Sequence, residues 1–169
     1  TESEPLLKYT TEEIDLSSIE NNQQANKVVI NFSGSRTTTF EYDSNLKVYK
    51  RSQNNKEHID YITKEQYTAK NIIVYSVSNY TLNDGENKGR QELNNIGSGS
   101  GYYITNGYAV PITWEKTSHS GQTVYKYTNG EEITVNDGNT FIQIYPKNGD
   151  LTITPKVEEV IAEGNTVQE

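Results

Sequence analysis

The chain has 169 residues and a formal net charge of −8, with 32% apolar and 22% charged side chains. That length suits one ordinary domain or two very small ones. The acidic balance excludes a nucleic-acid binder, whose partner demands a basic face, and no apolar run approaches the roughly 18 residues of a membrane span. Leu, Ile, Val and Phe number 36, just above the share of about one-fifth below which chains stay disordered. The 13 tyrosines and one tryptophan add large apolar rings, so a folded domain is expected.

The charge is unevenly spread. Residues 1–26 hold six acids and one base, residues 156–169 hold four acids and one base, and the stretch between is neutral. The ends read as solvated acidic segments around a neutral domain. The chain holds no Met and no Cys. The first absence predicts a processed or excised piece. The second excludes a disulfide framework, a thiol nucleophile and a Cys-type zinc site. Abundant Asn and Thr, 19 of each, with cysteine avoidance fits a bacterial protein outside the cytoplasm.

Taken in chain order, Thr11–Ile14 can open a short helix, and then period-two alternation takes over. Val28–Phe32, Thr38–Tyr42 and Lys47–Arg51 read as strands, the last two joined by the turn-like Asp43-Ser44-Asn45. Lys56–Lys70 offers a turn or two of helix through the weak capping pattern at Thr63. Asn71–Val77 is the most apolar and β-branched run, and it predicts a central strand. Tyr102–Thr105 and Tyr108–Trp114 flank Asn106-Gly107, a hairpin signal because both turn residues must tolerate positive φ. Val124–Thr128 and Glu131–Val135 flank Asn129-Gly130 likewise, and Thr140–Tyr145 and Leu151–Thr154 complete the series. The expectation is a mainly β fold, an antiparallel barrel or sandwich of about nine or ten strands with little helix. No fixed-period repeat supports a propeller or solenoid.

The ordered motifs Phe40-Glu41-Tyr42-Asp43, Tyr49-Lys50-Arg51, His58-Ile59-Asp60, Asn71-Ile72-Ile73-Val74, Gly97-Ser98-Gly99, Thr105-Asn106-Gly107, Thr113-Trp114-Glu115-Lys116 and Phe141-Ile142-Gln143 carry a resemblance. Over residues 26–147 the chain resembles the C-terminal domain of YerB-type lipoproteins of Gram-positive bacteria. Phe141 stands where family members often carry Trp. The family has no established molecular function, so the resemblance implies a location and an architecture rather than a reaction. It implies residues 1–25 as a connector from a missing N-terminal domain, 26–155 as the β domain and 156–169 as an acidic tail. It further implies an extracytoplasmic, cell-surface lipoprotein whose lipid anchor lies upstream. The implied partners are the N-terminal domain of the same protein and an envelope protein or wall polymer.

The candidate chemistry centres on Arg51, His58 and Asp60. Two residues apart on a strand, His58 and Asp60 share a face and can pair, a carboxylate beside an imidazole suiting acid–base work. Arg51 and Arg90 can hold an anionic group through their planar forks. The plainer reading is a polar network tying strands together. No nucleophile is signalled beside the group, which favours binding over catalysis. Trp114 and Lys116 are further ligand-binding candidates, the ring as a stacking platform for sugars or else as a core residue with Lys116 on its own face. Gly97–Gly101 has the letters of a phosphate loop or a nucleophile elbow, but it lacks the Lys-Ser/Thr and the following helix. It is expected as a bulge or tight connection between strands. His119 reads as a loop residue. Two histidines are too few for most catalytic zinc sites, and Asn83–Asn87 misses calcium-loop spacing, so neither metal nor cofactor is expected.

The two readings carried forward differ in class. One is a binding or assembly module at the bacterial cell envelope. The alternative is a domain contributing the His58–Asp60 pair to a hydrolase or transferase acting on an anionic envelope substrate.

Overall fold

Alternating apolar and polar residues build fourteen strands in this computed structural model, which describes residues 8–33, 36–54, 56–57, 59, 65–77, 97–117, 122–147 and 149–156. The first strands are β1 (Lys8–Thr10), β2 (Gln23–Gln24), β3 (Lys27–Ser33), β4 (Arg36–Asp43) and β5 (Val48–Gln53). β6 (Lys56–Glu57), β7 (Thr68–Ala69), β8 (Asn71–Val77), β9 (Gly97–Thr105) and β10 (Tyr108–Lys116) follow. β11 (Val124–Tyr127), β12 (Thr134–Asn136), β13 (Thr140–Pro146) and β14 (Asp150–Thr154) complete the order.

Among the described residues the strands form two six-stranded sheets and one small pair. The central sheet runs β11-β10-β9-β8-β13, with β2 added beside β10. The second sheet runs β14-β3-β4-β5-β6, with β7 added beside β5. β1 pairs with β12 in parallel, and β13 pairs with β8 in parallel; the other pairings are antiparallel. Among the described residues the strands make a sandwich rather than one closed barrel.

β8 is buried on both faces, which is why its sequence is continuously apolar rather than alternating. Ile72 and Val74 join Ile104 and Ala109 against Val28, Ile30, Phe40 and Tyr49 of the second sheet. Ile73, Tyr75 and Val77 face the other way, with Tyr103, Val110, Ile112 and Trp114. That second layer is covered by Leu16, Tyr125, Ile133 and Val135. Leu16 is fully buried, so the acidic N-terminal stretch contributes to the core.

Local chemistry sets the turns. At Asn106 and Gly107 φ is 51° and 85°, the paired positive values a two-residue hairpin requires. Asn129-Gly130 works differently: Gly130 alone turns to φ 96°, and its N–H donates to the Tyr127 carbonyl at 2.9 Å. The Asp43 carboxylate accepts from the Asn45 and Leu46 N–H groups and closes the β4–β5 turn.

Among the described residues helix is confined to one 3-10 turn, Leu16–Ser18, capped by Asp15, which accepts from the Ser17 N–H at 3.0 Å. Thr11–Ile14 does not start it. The described part of Lys56–Lys70 is extended, as β6, β7 and a bridge between Ile59 and Gln66. The Gly97–Gly101 run is neither bulge nor connection; it lies within β9, in unbroken register against Ile112–Lys116.

Candidate functional site

β4 and β5 place the site's cation. Arg51 stands opposite Phe40 in the antiparallel register, so it shares the inward face of the second sheet. Only 7% of it is exposed. Its guanidinium lies 5.0 Å from the Phe141 ring centre and 5.8 Å from that of Phe40, beside two rings that themselves pack with centres 5.7 Å apart. Nη2 reaches Gln143 Oε1 at 3.5 Å, at the long end for a hydrogen bond. The Arg51 backbone is held as firmly: its N–H donates to the Tyr67 carbonyl at 2.9 Å, and its carbonyl accepts from Gln66 Nε2 at 2.8 Å.

Arg36 comes to the same inner face. It is four residues before Phe40 on β4, hence of the same parity, and its guanidinium sits 4.4 Å over the Phe32 ring. Burial, and then the charge of Arg36, hold Arg51 below the usual arginine pKa. An arginine remains cationic near neutrality even so. The inner face of the sandwich thus changes along its length. Tyr49, Phe40 and Ile30 make an apolar interior, and Arg51, Arg36 and Gln143 make a cationic, hydrogen-bonding end.

His58, Asp60 and Arg90 lie outside the described residues, as does His119. Ile59, between His58 and Asp60, is described and bridges antiparallel to Gln66, the residue that hydrogen-bonds the Arg51 carbonyl. Trp114 and Lys116 are placed elsewhere, on β10 and facing the other core. Trp114 is 5% exposed and stacks on Tyr75 with ring centres 4.8 Å apart. Its ring therefore packs against the core rather than offering a face to a sugar. Lys116, opposite Gly97, is 4% exposed.

Sequence reasoning passed over two features. Arg36 was readable in principle, because its parity with Thr38 and Phe40 assigns it to the buried side. The second feature is a buried network around Asn71. Asn71 Oδ1 accepts from the Tyr103 hydroxyl at 2.8 Å and from the Asn136 N–H at 3.3 Å, while Nδ2 donates to the Asn136 carbonyl at 2.8 Å. Asn136 Nδ2 donates to Thr105 Oγ1 at 3.0 Å, and its Oδ1 accepts from the Ile14 N–H at 2.7 Å. These groups satisfy one another and tie β8, β9, β12 and the N-terminal segment together, a structural use of polar side chains.

Guanidinium and amide groups hold oxyanions by directed, charge-assisted hydrogen bonds, and arginine has no proton to exchange near neutral pH. Arg51 and Gln143 are groups of that kind. Among the described residues no three His, Asp or Glu side chains gather as ligands for a metal ion.

A crystal structure of the YerB protein from Bacillus subtilis is similar, with a TM-score of 0.61 at 17% sequence identity. The match covers 86% of this chain and 46% of that one, so the chain spans about half the length of the relative. No curated protein matches the chain. The model of the C-terminal domain of a protein of unknown function (DUF3048) matches residues 28–142, from β3 into β13. With more than half its length inside that model, the chain belongs to the DUF3048 C-terminal domain family, the YerB type.

Proposed function

We propose that the chain is a binding or assembly module of a membrane-anchored lipoprotein, working outside the cytoplasm at the bacterial cell envelope. The observation that supports binding over catalysis is Arg51, a nearly buried cation set beside the packed Phe40 and Phe141 rings, with the Gln143 amide next to it. Such a group recognises an anion but does not exchange protons. The lipid anchor and the other domain belong to the reading through the family resemblance. The partners proposed are that domain of the same protein and an envelope protein or wall polymer.

The alternative assigns His58 and Asp60 an acid–base role on an anionic envelope substrate. It is favoured by one observation, that Ile59 brings the chain between them to Gln66 beside Arg51.

Complementation of a strain lacking the full-length protein separates the two. The binding module predicts that full-length His58→Ala/Asp60→Asn restores the wild-type envelope phenotype. Failure of that variant, at normal abundance and with a wild-type circular dichroism spectrum, would transfer the case to the acid–base reading. Fractionation tests location: the full-length protein is expected with the membranes and open to protease on protoplasts. Recovery in the cytosol would overturn the envelope assignment.

A further inference from the structure

We infer that Asn129-Gly130, at the exposed tip between β11 and β12, is a site of self-modification at which the chain converts its own asparagine to isoaspartate and aspartate. The same pair at Asn106-Gly107 is locked against that reaction. The site stands apart from whatever the module binds.

Both pairs sit in the tripeptide Thr-Asn-Gly, at 105–107 and 128–130, so the difference between them lies in the fold. A glycine after asparagine leaves the backbone nitrogen open to the side-chain amide, because no Cβ obstructs the approach. The glycine nitrogen loses its proton to hydroxide and bonds to the asparagine Cγ. The bond from Cγ to the side-chain NH2 breaks, ammonia leaves, and a five-membered succinimide remains. Water opens that ring at one carbonyl to give aspartate, or at the other to give isoaspartate, whose main chain runs through the side-chain carbon. Hydrogen bonds that hold the amide or the glycine N–H in the starting geometry slow the step.

At Asn106 both groups are held. Oδ1 accepts from Lys70 Nζ at 2.9 Å, and Nδ2 donates to Glu13 Oε2 at 2.5 Å and to the Ile14 carbonyl at 3.2 Å. The Gly107 N–H donates to the hydroxyl of Tyr49, which is fully buried and itself donates to the Ala25 carbonyl. Freeing that nitrogen disturbs the core. Asn129 and Gly130 are exposed, and a Cβ at Gly130 would meet nothing within 4 Å, so the tip stands in solvent. Asn129 Oδ1 accepts from the Glu131 N–H at 2.9 Å, a bond that polarises Cγ and steadies the oxyanion formed on attack. Its Nδ2, the leaving group, has no partner among the described residues. The Gly130 N–H donates to the Tyr127 carbonyl at 2.9 Å, within a turn open to water. Asn148, of the third such pair, lies outside the described residues.

The turn also ties down part of the core's cover. Just below the tip, the Tyr127 N–H donates to the Glu131 carbonyl at 2.8 Å and the Ile133 N–H to the Tyr125 carbonyl at 3.0 Å. Tyr125 and Ile133 are buried in the layer that holds Trp114. Isoaspartate lengthens the backbone inside that turn, and either product sets a new carboxylate beside Glu131 and Glu132.

Peptide mapping by mass spectrometry of the chain aged at mildly alkaline pH tests the site, with isoaspartate scored by a methyltransferase specific for it. Asn129 is expected to convert about tenfold faster than Asn106 or more, and faster as the pH rises. In urea-unfolded chain the two are expected to convert alike. Aged protein, separated by its added charge, is expected to unfold at lower urea than fresh protein. Glu13→Ala frees the Asn106 amide and Tyr49→Phe frees the Gly107 N–H, and each is expected to raise conversion at Asn106 several-fold while leaving Asn129 unchanged. If neither does so, the lock is overturned. Equal conversion of the two asparagines in the folded chain, or an Asn129 that reacts only when unfolded, would overturn the site.

Discussion

Gly99 and Trp114 face one another across β9 and β10, and the indole covers the glycine so closely that a Cβ there would stand 2.8 Å from Nε1. The same ring stacks on Tyr75, so the glycine is what lets the tryptophan lie flat between sheet and cover. Two glycines flank it on the same face, Gly97 and Gly101, opposite Lys116 and Ile112. A run that reads as loop-like by its letters is therefore the floor on which an aromatic cluster rests.

Gly99→Ala is expected to destabilise the fold by about 1–3 kcal/mol, since the added methyl must displace a ring already packed on both sides. The backbone entropy gained on replacing glycine, about 0.5–1 kcal/mol, offsets only part of this. Urea unfolding followed by the fluorescence of Trp114 measures it. Ser98→Ala, on the exposed side of the same strand, is expected within about 0.5 kcal/mol of the parent. Equal stability of the two variants would contradict the packing.

Tyr49 and Tyr103 make an alkaline prediction. The Tyr49 hydroxyl donates to the Ala25 carbonyl at 2.6 Å and accepts from the Gly107 N–H at 3.1 Å. Burial pushes both phenols well above the ordinary value of 10. A group whose folded pKa is raised contributes stability that is complete below the unfolded value and lost as pH climbs above it. Tyrosinate absorbance is therefore expected to rise in two stages, the later one coinciding with unfolding. Tyr49→Phe should cost about 1–3 kcal/mol, because it leaves the Ala25 carbonyl and the Gly107 N–H without their partner. A single-stage titration with the fold intact would refute the burial of these hydroxyls.

Glu13 governs a small effect at the acid end. Its carboxylate accepts from Lys70 Nζ at 2.7 Å and from Asn106 Nδ2 at 2.5 Å. The Lys70 hydrogen bond, followed by that of Asn106, holds the carboxyl below its ordinary value of 4.5. A depressed pKa gives stability that is present above the unfolded value and lost as pH falls through the folded one. The carboxylate is 54% exposed, so solvent screening limits the gain to roughly 0.5 kcal/mol. Denaturation midpoints of the parent and Glu13→Gln should differ above pH 4.5 and converge in stronger acid. A constant gap across that range would show that the ion pair contributes nothing.

Much of the strand pattern was open to reading because alternation and turn chemistry are local. Asn71–Val77 reads as a central strand from its unbroken apolar run, and the structure buries it on both faces. Asn106-Gly107 reads as a hairpin from two residues, and both take positive φ. Strand order was not readable, since nothing near Thr140 says that it lies parallel to Asn71 rather than beside a sequence neighbour. Leu16 was hidden for the same reason: an isolated leucine among acids and serines gives no period, and only the tertiary fold brings Ile73 and Val135 to it. At the site, the cation type was legible in Arg51, and the inward place of Arg36 in its parity with Thr38 and Phe40 on β4. Trp114 shows the limit of residue type as a guide, because an indole on a strand serves a core as readily as a ligand.

The parallel seating of β13 on β8 and the return through β14 to β3 also fix when the fold can form. β3 and β8 are made before residues 140–154, and each lacks one lateral neighbour until those have been added. Until then the nascent chain carries two bare edges, one in each sheet, able to pair with other extended chains. Pairings this distant in sequence are slow to form, because a long loop must close before any contact rewards it. The stretch that seals both sheets is thus the last of these strands to be made, and both edges stay open to wrong partners until it arrives.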